Sequence, residues 1–319
     1  MPSKKPSEKP SKWHKYLPHA ALVLGVILFG PTQNVIFALV AIGALAYLLY
    51  AEFKHTSNWK EFSKELAGSV AIALGAWVAL SLLLNTTSPI NIITSCSMLP
   101  QYERGDLIFL QGADLNTPII QIPFGLQNTT LQPVEINNNN GQTVARILQP
   151  TINGQPLFQP QFSKCSRKPL DATQNTQDQV CLKSVTFQGQ TVPILQSPDV
   201  VVFDSGTPAG LIIHRAYALL NGTDGAYLLT KGDNNPFLDQ QSGFQLIPYK
   251  TAGRVLVNLP FLGALTLSPN GGLQLLQENQ IPLKGKVALR IPYIGYIKLL
   301  LFLQIQAPPG CDSVLQKPM

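Results

Sequence analysis

The chain has 319 residues, more than one average domain, and only 13% of them are charged while 45% are hydrophobic. That balance is too poor in charge for a chain bathed wholly in water, and it places part of the molecule in lipid. The net charge of +6 does not signal a nucleic-acid partner: Lys4, Lys5, Lys9, Lys12 and Lys15 crowd the first sixteen residues, whereas residues 89–290 carry 13 basic and 12 acidic side chains.

In chain order, residues 1–16 read as a basic cytoplasmic tail, held by positive-inside bias and anionic lipid. Residues 17–86 read as a membrane domain with three helices, at about 17–31, 34–51 and 66–84, the last being the clearest span. One continuous helix over residues 17–50 would run to roughly 50 Å, well over the ~30 Å hydrocarbon core. Gly30-Pro31 followed by Gln33 and Asn34 is a breaker, so the first two helices are predicted to form a hairpin. Parity agrees. A hairpin returns Lys54, Lys60 and Lys64 to the side of the basic tail, and the third helix then delivers the rest of the chain outside. A cleavable signal peptide over residues 1–30 fits less well, because more membrane follows and no small-x-small site is evident.

Residues 87–290 predict a mainly-β extracytoplasmic domain. Short apolar runs such as Asp106–Leu110, Val192–Leu195, Val200–Phe203, Leu211–His214, Tyr227–Leu229, Gly253–Val257 and Val287–Ile291 are separated by Gly, Pro, Asn and Gln. Residues 111–198 read as a polar insertion whose Asn137–Asn140 run marks a loop or hairpin tip. The stretches 253–263 and 285–295 resemble each other, each a strand followed by Pro, an aromatic, an aliphatic and Gly. Residues 291–305 are short for a span and suit an interfacial or membrane segment ahead of the C-terminal tail. If that segment crosses, Cys311 is cytoplasmic and reduced; if it lies on the surface, Cys311 is outside and can find a partner. Asn85, Asn128 and Asn221 open N-x-Thr patterns of the N-glycosylation type on the predicted outer side.

Cys165 and Cys181 are a disulfide candidate, closing a loop worth about 3 kcal/mol in the chain-entropy model; two free thiols are the alternative. No CxxC pair exists, and His14, His19, His55 and His214 are the only histidines. A metal site therefore has almost no ligands to draw on, and no cofactor is expected.

The predicted outer domain offers one histidine, His214. A serine nucleophile needs a base near neutral pH and an acid to orient that base, but a lone histidine on a strand is more often a satisfied structural residue. Its surroundings carry more. Ser95-Cys-Ser97-Met-Leu-Pro100, followed by Gly105-Asp106, resembles the Ser-x-Ser-Met-x-Pro … Gly-Asp signature of signal peptidase I. Asp199-Val-Val-Val-Phe203, Ile212-Ile-His214-Arg215, Thr230-Lys-Gly-Asp233-Asn-Asn-Pro-Phe-Leu-Asp239 and Ile291-Pro-Tyr-Ile-Gly295 are similar to further blocks, in order, of its archaeal and endoplasmic-reticulum branch. The departures are the long 111–198 segment and Cys96 between the serines.

The resemblance implies a membrane-bound serine endopeptidase that cleaves signal peptides from exported preproteins, with small residues at −1 and −3. It implies Ser97 as nucleophile, His214 as base, and Asp239 or Asp233 as the acid that orients His214. The Ser97 N–H and Ser95 hydroxyl would stabilise the oxyanion, and Met98 and Pro100 would meet substrate. Partners would be signal peptides, the lipid bilayer and the protein translocation machinery, with no nucleic acid. The location implied is a cell or endoplasmic-reticulum membrane, multi-pass. Two other readings share these features: a related membrane serine peptidase maturing pilin-like or conjugation substrates, and a non-catalytic membrane-anchored binding protein.

Overall fold

The computed structural model describes residues 17–32, 35–55, 59–112, 114–137, 140–194, 197–206, 210–249, 254–259, 263–267, 272–276, 282–301, 308 and 310–316. The basic tail over residues 1–16 lies outside them. Helices come first: α1 (Leu17–Thr32), α2 (Val35–His55) and α3 (Trp59–Leu83). α1 continues through Gly30-Pro31 to Thr32, two residues past the expected break, because a proline in the last turn removes only one ladder hydrogen bond. Gly25 lets α1 and α2 approach closely: a Cβ there would lie 3.0 Å from the Ala41 nitrogen and 3.1 Å from the Phe37 carbonyl oxygen. A short helix, α4 (Tyr296–Leu301), buries Tyr296 and Leu299 with Ala41 beside Leu22 and Phe37.

Within α3, Ser63–Leu83 is 21 residues long and apolar enough to cross a membrane, and among the described residues it alone meets that length and composition. Leu66, Val70, Ile72 and Leu74 are exposed along it. An apolar surface with no protein partner suits lipid, so the chain is membrane-associated.

Residues 74–291 and 307–319 form a second, mainly-β unit. Its strands are β1 (Ile90–Ile92), β2 (Leu107–Gln111), β3 (Ile119–Gln121), β4 (Thr130–Asn137), β5 (Thr143–Ile152), β6 (Gln155–Pro156), β7 (Gln159–Pro169), β8 (Gln177–Phe187) and β9 (Gln190–Pro193). There follow β10 (Val200–Asp204), β11 (Leu211–Gly222), β12 (Gly225–Lys231), β13 (Ile247–Pro248), β14 (Arg254–Leu259), β15 (Gly263–Leu267), β16 (Leu273–Leu276), β17 (Leu283–Ile291) and β18 (Ser313–Gln316). The principal sheet runs β1-β2-β17-β10-β11-β12-β13, antiparallel throughout, with β3 added parallel to β11. β10 shows why this order buries well. Side chains alternate along a strand, so Val200 and Val202 pack with Met98, Ile108 and Ile213, while Val201 and Phe203 pack on the other face with Ala216 and Leu228.

The polar 111–198 segment is folded throughout most of its length. It supplies β3 to the principal sheet and forms two small sheets, β4-β5-β6 and β18-β7-β8-β9. Phe158, Leu182, Val185 and Phe187 share a core with Tyr217, Leu220 and Leu238, so the segment is structurally continuous with β11. β4 and β5 pair as an antiparallel hairpin flanking residues 138–139, which lie outside the described residues. A disulfide joins Cys165 on β7 to Cys181 on β8.

The similar stretches 253–263 and 285–295 have different neighbours. β14 pairs with β15 in a separate three-stranded sheet, whereas β17 lies between β2 and β10. At the C-terminus, β18 pairs with β7 and Cys311 is bonded to Cys96. The chain therefore leaves this unit after β17 and returns to it before β18, and residues 302–305 of the expected interfacial or membrane segment lie outside the described residues. Of the three glycosylation patterns, Asn85 is committed elsewhere: its Nδ2 donates to the Gly112 carbonyl and its Oδ1 accepts from the Val255 N–H. Asn221 Nδ2 donates to Gln121, and Asn128 is exposed.

Candidate active site

Ser97 sits in the loop between β1 and β2. The neck of that loop is closed by the Gly105 N–H donating to the Ile93 carbonyl at 2.8 Å and the Ile93 N–H donating to the Asp106 carbonyl at 3.0 Å. Gly105 adopts φ +90°, a left-handed conformation that favours glycine. Buried Asp106 accepts from the Glu103 N–H at 2.8 Å and lies 2.5 Å from the Arg290 guanidinium. Within the loop, Ser95 Oγ and Ser97 Oγ are 3.2 Å apart, and both serines are half-buried. Met98 is fully buried in the core, where it anchors the loop and has no surface to offer a substrate. Pro100, after a cis peptide bond, is exposed.

His214 lies on β11, facing away from Ile213 and Met98. Its Nδ1 is 2.6 Å from Asp239 Oδ2, and Thr230 Oγ1 donates to the same oxygen at 2.5 Å. All three residues are buried, and the Phe203 ring stands edge-on to the imidazole with centroids 6.3 Å apart. The two candidate acids are thereby separated. Asp233 is gripped by Arg215, whose Nε and Nη2 donate to it at 2.9 and 2.7 Å. Burial alone would lower the guanidinium's pKa, but this paired carboxylate outweighs it and holds the pKa above its usual value. Arg215 also donates to the Ser197 carbonyl and to Gln101 of the serine loop.

The turn after β12 joins these parts. The Asn234 N–H donates to the Ser97 carbonyl at 2.7 Å. Gly232 is required by the close approach of that same carbonyl: a Cβ would lie 2.8 Å from Ser97 O and 2.7 Å from Asn235 Nδ2. Lys231 is buried, and its Nζ donates to the carbonyls of Gly232 and Asn235 at 3.0 and 2.6 Å. Desolvation lowers its pKa to about 8, against the opposing pull of Asp233 and Asp239.

The segment 230–239 thus touches both candidate groups, through Asn234 to Ser97 and through Thr230 and Asp239 to the His214 side. No hydrogen bond joins Ser97 to His214 among the described residues. Ser95 and Ser97 open onto a cleft of about 510 Å³ that Arg167, Gln177, Asn234 and Asp312 also line. His214, Met98 and Pro100 are not among its lining residues. Reading the sequence did not single out Asn234, Arg167 or Asp312. Asn234 stands inside the Thr230–Asp239 motif, which assigns it no role of its own, and the other two lie in stretches with no local signature.

The class defined so far is a β-rich unit carried behind a membrane-length helix, with a pinned serine loop and a buried His–Asp pair. Over 42 residues the chain is 48% identical to the signal peptidase complex catalytic subunit SEC11 of Clavispora lusitaniae, a match covering 13% of this chain and 25% of that protein. The chain therefore spans about a quarter of that relative's length, and the likeness singles out no branch of the superfamily. No family model matches the chain, and no solved structure matches it. The chain is a membrane-associated protein with partial, distant homology to a signal peptidase.

Proposed function

We propose that the chain is a membrane-anchored serine endopeptidase of the signal peptidase I type, which cuts leader segments from exported preproteins after small residues at −3 and −1. The observation that carries this reading is the contact of segment 230–239 with both Ser97 and the His214–Asp239 pair. Because Nδ1 of His214 faces Asp239, its Nε2 is the nitrogen left to take the Ser97 proton as Oγ attacks the scissile carbonyl. Asp239 holds the ring's orientation and offsets the positive charge that forms on it. The Ser97 N–H and Ser95 hydroxyl then face the developing oxyanion, each donor worth about 2.7–4 kcal/mol in such a site. The imidazolium returns its proton to the leaving amine, and water repeats the sequence on the acyl ester. The absence of a Ser97–His214 hydrogen bond is compatible with this, since catalytic hydrogen bonds often tighten only when substrate is bound.

A bilayer location supports the same reading. Ser97 follows Leu83, the end of the apolar helix, by 14 residues, within ~50 Å even if extended, so the loop can work at the membrane surface where a leader segment lies. We read α1 and α2 as a hairpin of two further spans, with the β unit on the extracytoplasmic side and the translocation machinery as a partner.

Purified protein in lipid should cleave a preprotein in trans and leave one new N-terminus at the leader junction. Cleavage of a pilin-like substrate but not of the preprotein would move the assignment to a related peptidase. Cleavage of neither would favour a binding protein. Topology has its own test. No free cysteine occurs among the described residues, so background labelling should be low. A cysteine replacing exposed Glu61 should react only from the cytoplasmic side, and one replacing Asn128 only from the other. Reaction of both from the same side would overturn the orientation.

A further inference from the structure

The side chain of Asn234 is 3% exposed and fully engaged. Its Nδ2 donates to the carbonyls of Cys96 at 3.1 Å, Ser313 at 3.0 Å and Gly310 at 3.3 Å, and its Oδ1 accepts from the Leu315 N–H at 2.7 Å. Arg167 on β7 donates to the Asn234 carbonyl at 2.8 Å and reaches Oδ1 at 3.4 Å. The register explains the fit. Just ahead of β18 the Asp312 carbonyl accepts from the Leu170 N–H on the β7 side, so Ser313 and Leu315 present their backbone groups to the opposite edge. Asn234 caps that edge as a neighbouring strand would, and so fastens the C-terminal strand and the 111–198 segment to the turn after β12.

The contact with the Cys96 carbonyl has a chemical consequence. That carbonyl shares a planar trans peptide with the Ser97 N–H, and in such a unit the two point in opposite directions. Fixing one aims the other. The next carbonyl, that of Ser97 itself, is fixed by the Asn234 backbone N–H, so Asn234 holds both peptide planes flanking Ser97, with a longer bond of 3.3 Å from the Leu99 N–H added at the Cys96 carbonyl. The Cys96–Cys311 disulfide adds a covalent hold on Cys96 from the residues just ahead of β18.

We propose that Asn234 is a positioning residue that aims the Ser97 N–H at the oxyanion, with the Cys96–Cys311 bond as the covalent half of the clamp. This rests on the reading of Ser97 as nucleophile. The 111–198 segment and the C-terminus, through Arg167 and β18, are then working parts of the site.

The test compares steady-state cleavage of a preprotein by full-length wild type, Asn234→Ala and the double variant Cys96→Ser/Cys311→Ser. An oxyanion donor acts in the transition state, so kcat should fall with KM little changed. A misaimed donor should cost about tenfold to a hundredfold in Asn234→Ala, somewhat below the loss on removing a donor outright. The double variant should show a smaller fall in kcat. The pH profile should keep its shape in both, because His214 and Asp239 are untouched. A wild-type kcat in Asn234→Ala, a change confined to KM, or a moved pH limb would overturn the proposal. If Asn234→Ala does not fold, the double variant decides: a reduced kcat supports the clamp, and an unchanged one refutes it. Cleavage by Ser97→Ala at the wild-type rate would instead refute the nucleophile reading and leave the clamp without a task.

Discussion

His214→Ala is expected to slow preprotein cleavage at least about 100-fold, the loss typical of a general base. The buried imidazole has its Nδ1 on Asp239, and Asp239 is further fixed by Thr230, so the ring has one orientation and one nitrogen to offer. Asp239→Asn should therefore also lose most activity, since an amide can hold the ring in the wrong tautomer. Asp233→Asn should act differently. Its carboxylate serves Arg215, and the variant's first effect should be a lower melting temperature. The rival base is Lys231, whose pKa burial lowers to about 8. A base works only when unprotonated. A lysine base would make the rate rise with pH through about 8. Lys231 also braces the turn that carries Asn234, so Lys231→Arg will lower the rate whichever group is the base. The position of the acid limb is the discriminating quantity. An acid limb near pH 8, with His214→Ala still active, would transfer the role to Lys231.

Much of the frame was legible from local pattern. The Val-Val-Val-Phe run of β10 is buried on both faces, and the nineteen or so apolar residues of α3 outlast any soluble helix's need for one apolar stripe. The 111–198 segment was not legible as folded structure. β4 buries no residue and β7 only Cys165, so both carry the polar residues that a loop would also carry. The burial of Met98 was not legible, because a motif position says nothing about which way a side chain turns. The Cys96–Cys311 pairing spans 215 residues and depends on β18 reaching β7, for which no local pattern exists. The role of Asn234 was hidden for a related reason. Asp-Asn-Asn after glycine is good turn chemistry in its own right, so nothing local marks Asn234 as more than a turn residue.

Ser97→Ala is expected to abolish cleavage while leaving the fold intact. The backbone of Ser97 carries the structural contact, accepting from Asn234, while among the described residues its half-buried hydroxyl is paired with Ser95 Oγ alone. Removing that hydroxyl leaves no large cavity and no buried partner stranded without water, so the melting temperature should stay within about 2 °C of wild type. The chemistry has no such reserve, because without Oγ no acyl ester can form at this position. The decisive measurement is the N-terminal sequence, by mass spectrometry, of a preprotein incubated with purified wild type or Ser97→Ala in the same lipid. The account predicts one new N-terminus at the leader junction with wild type and none with the variant. The same product at the same rate from folded Ser97→Ala would contradict it.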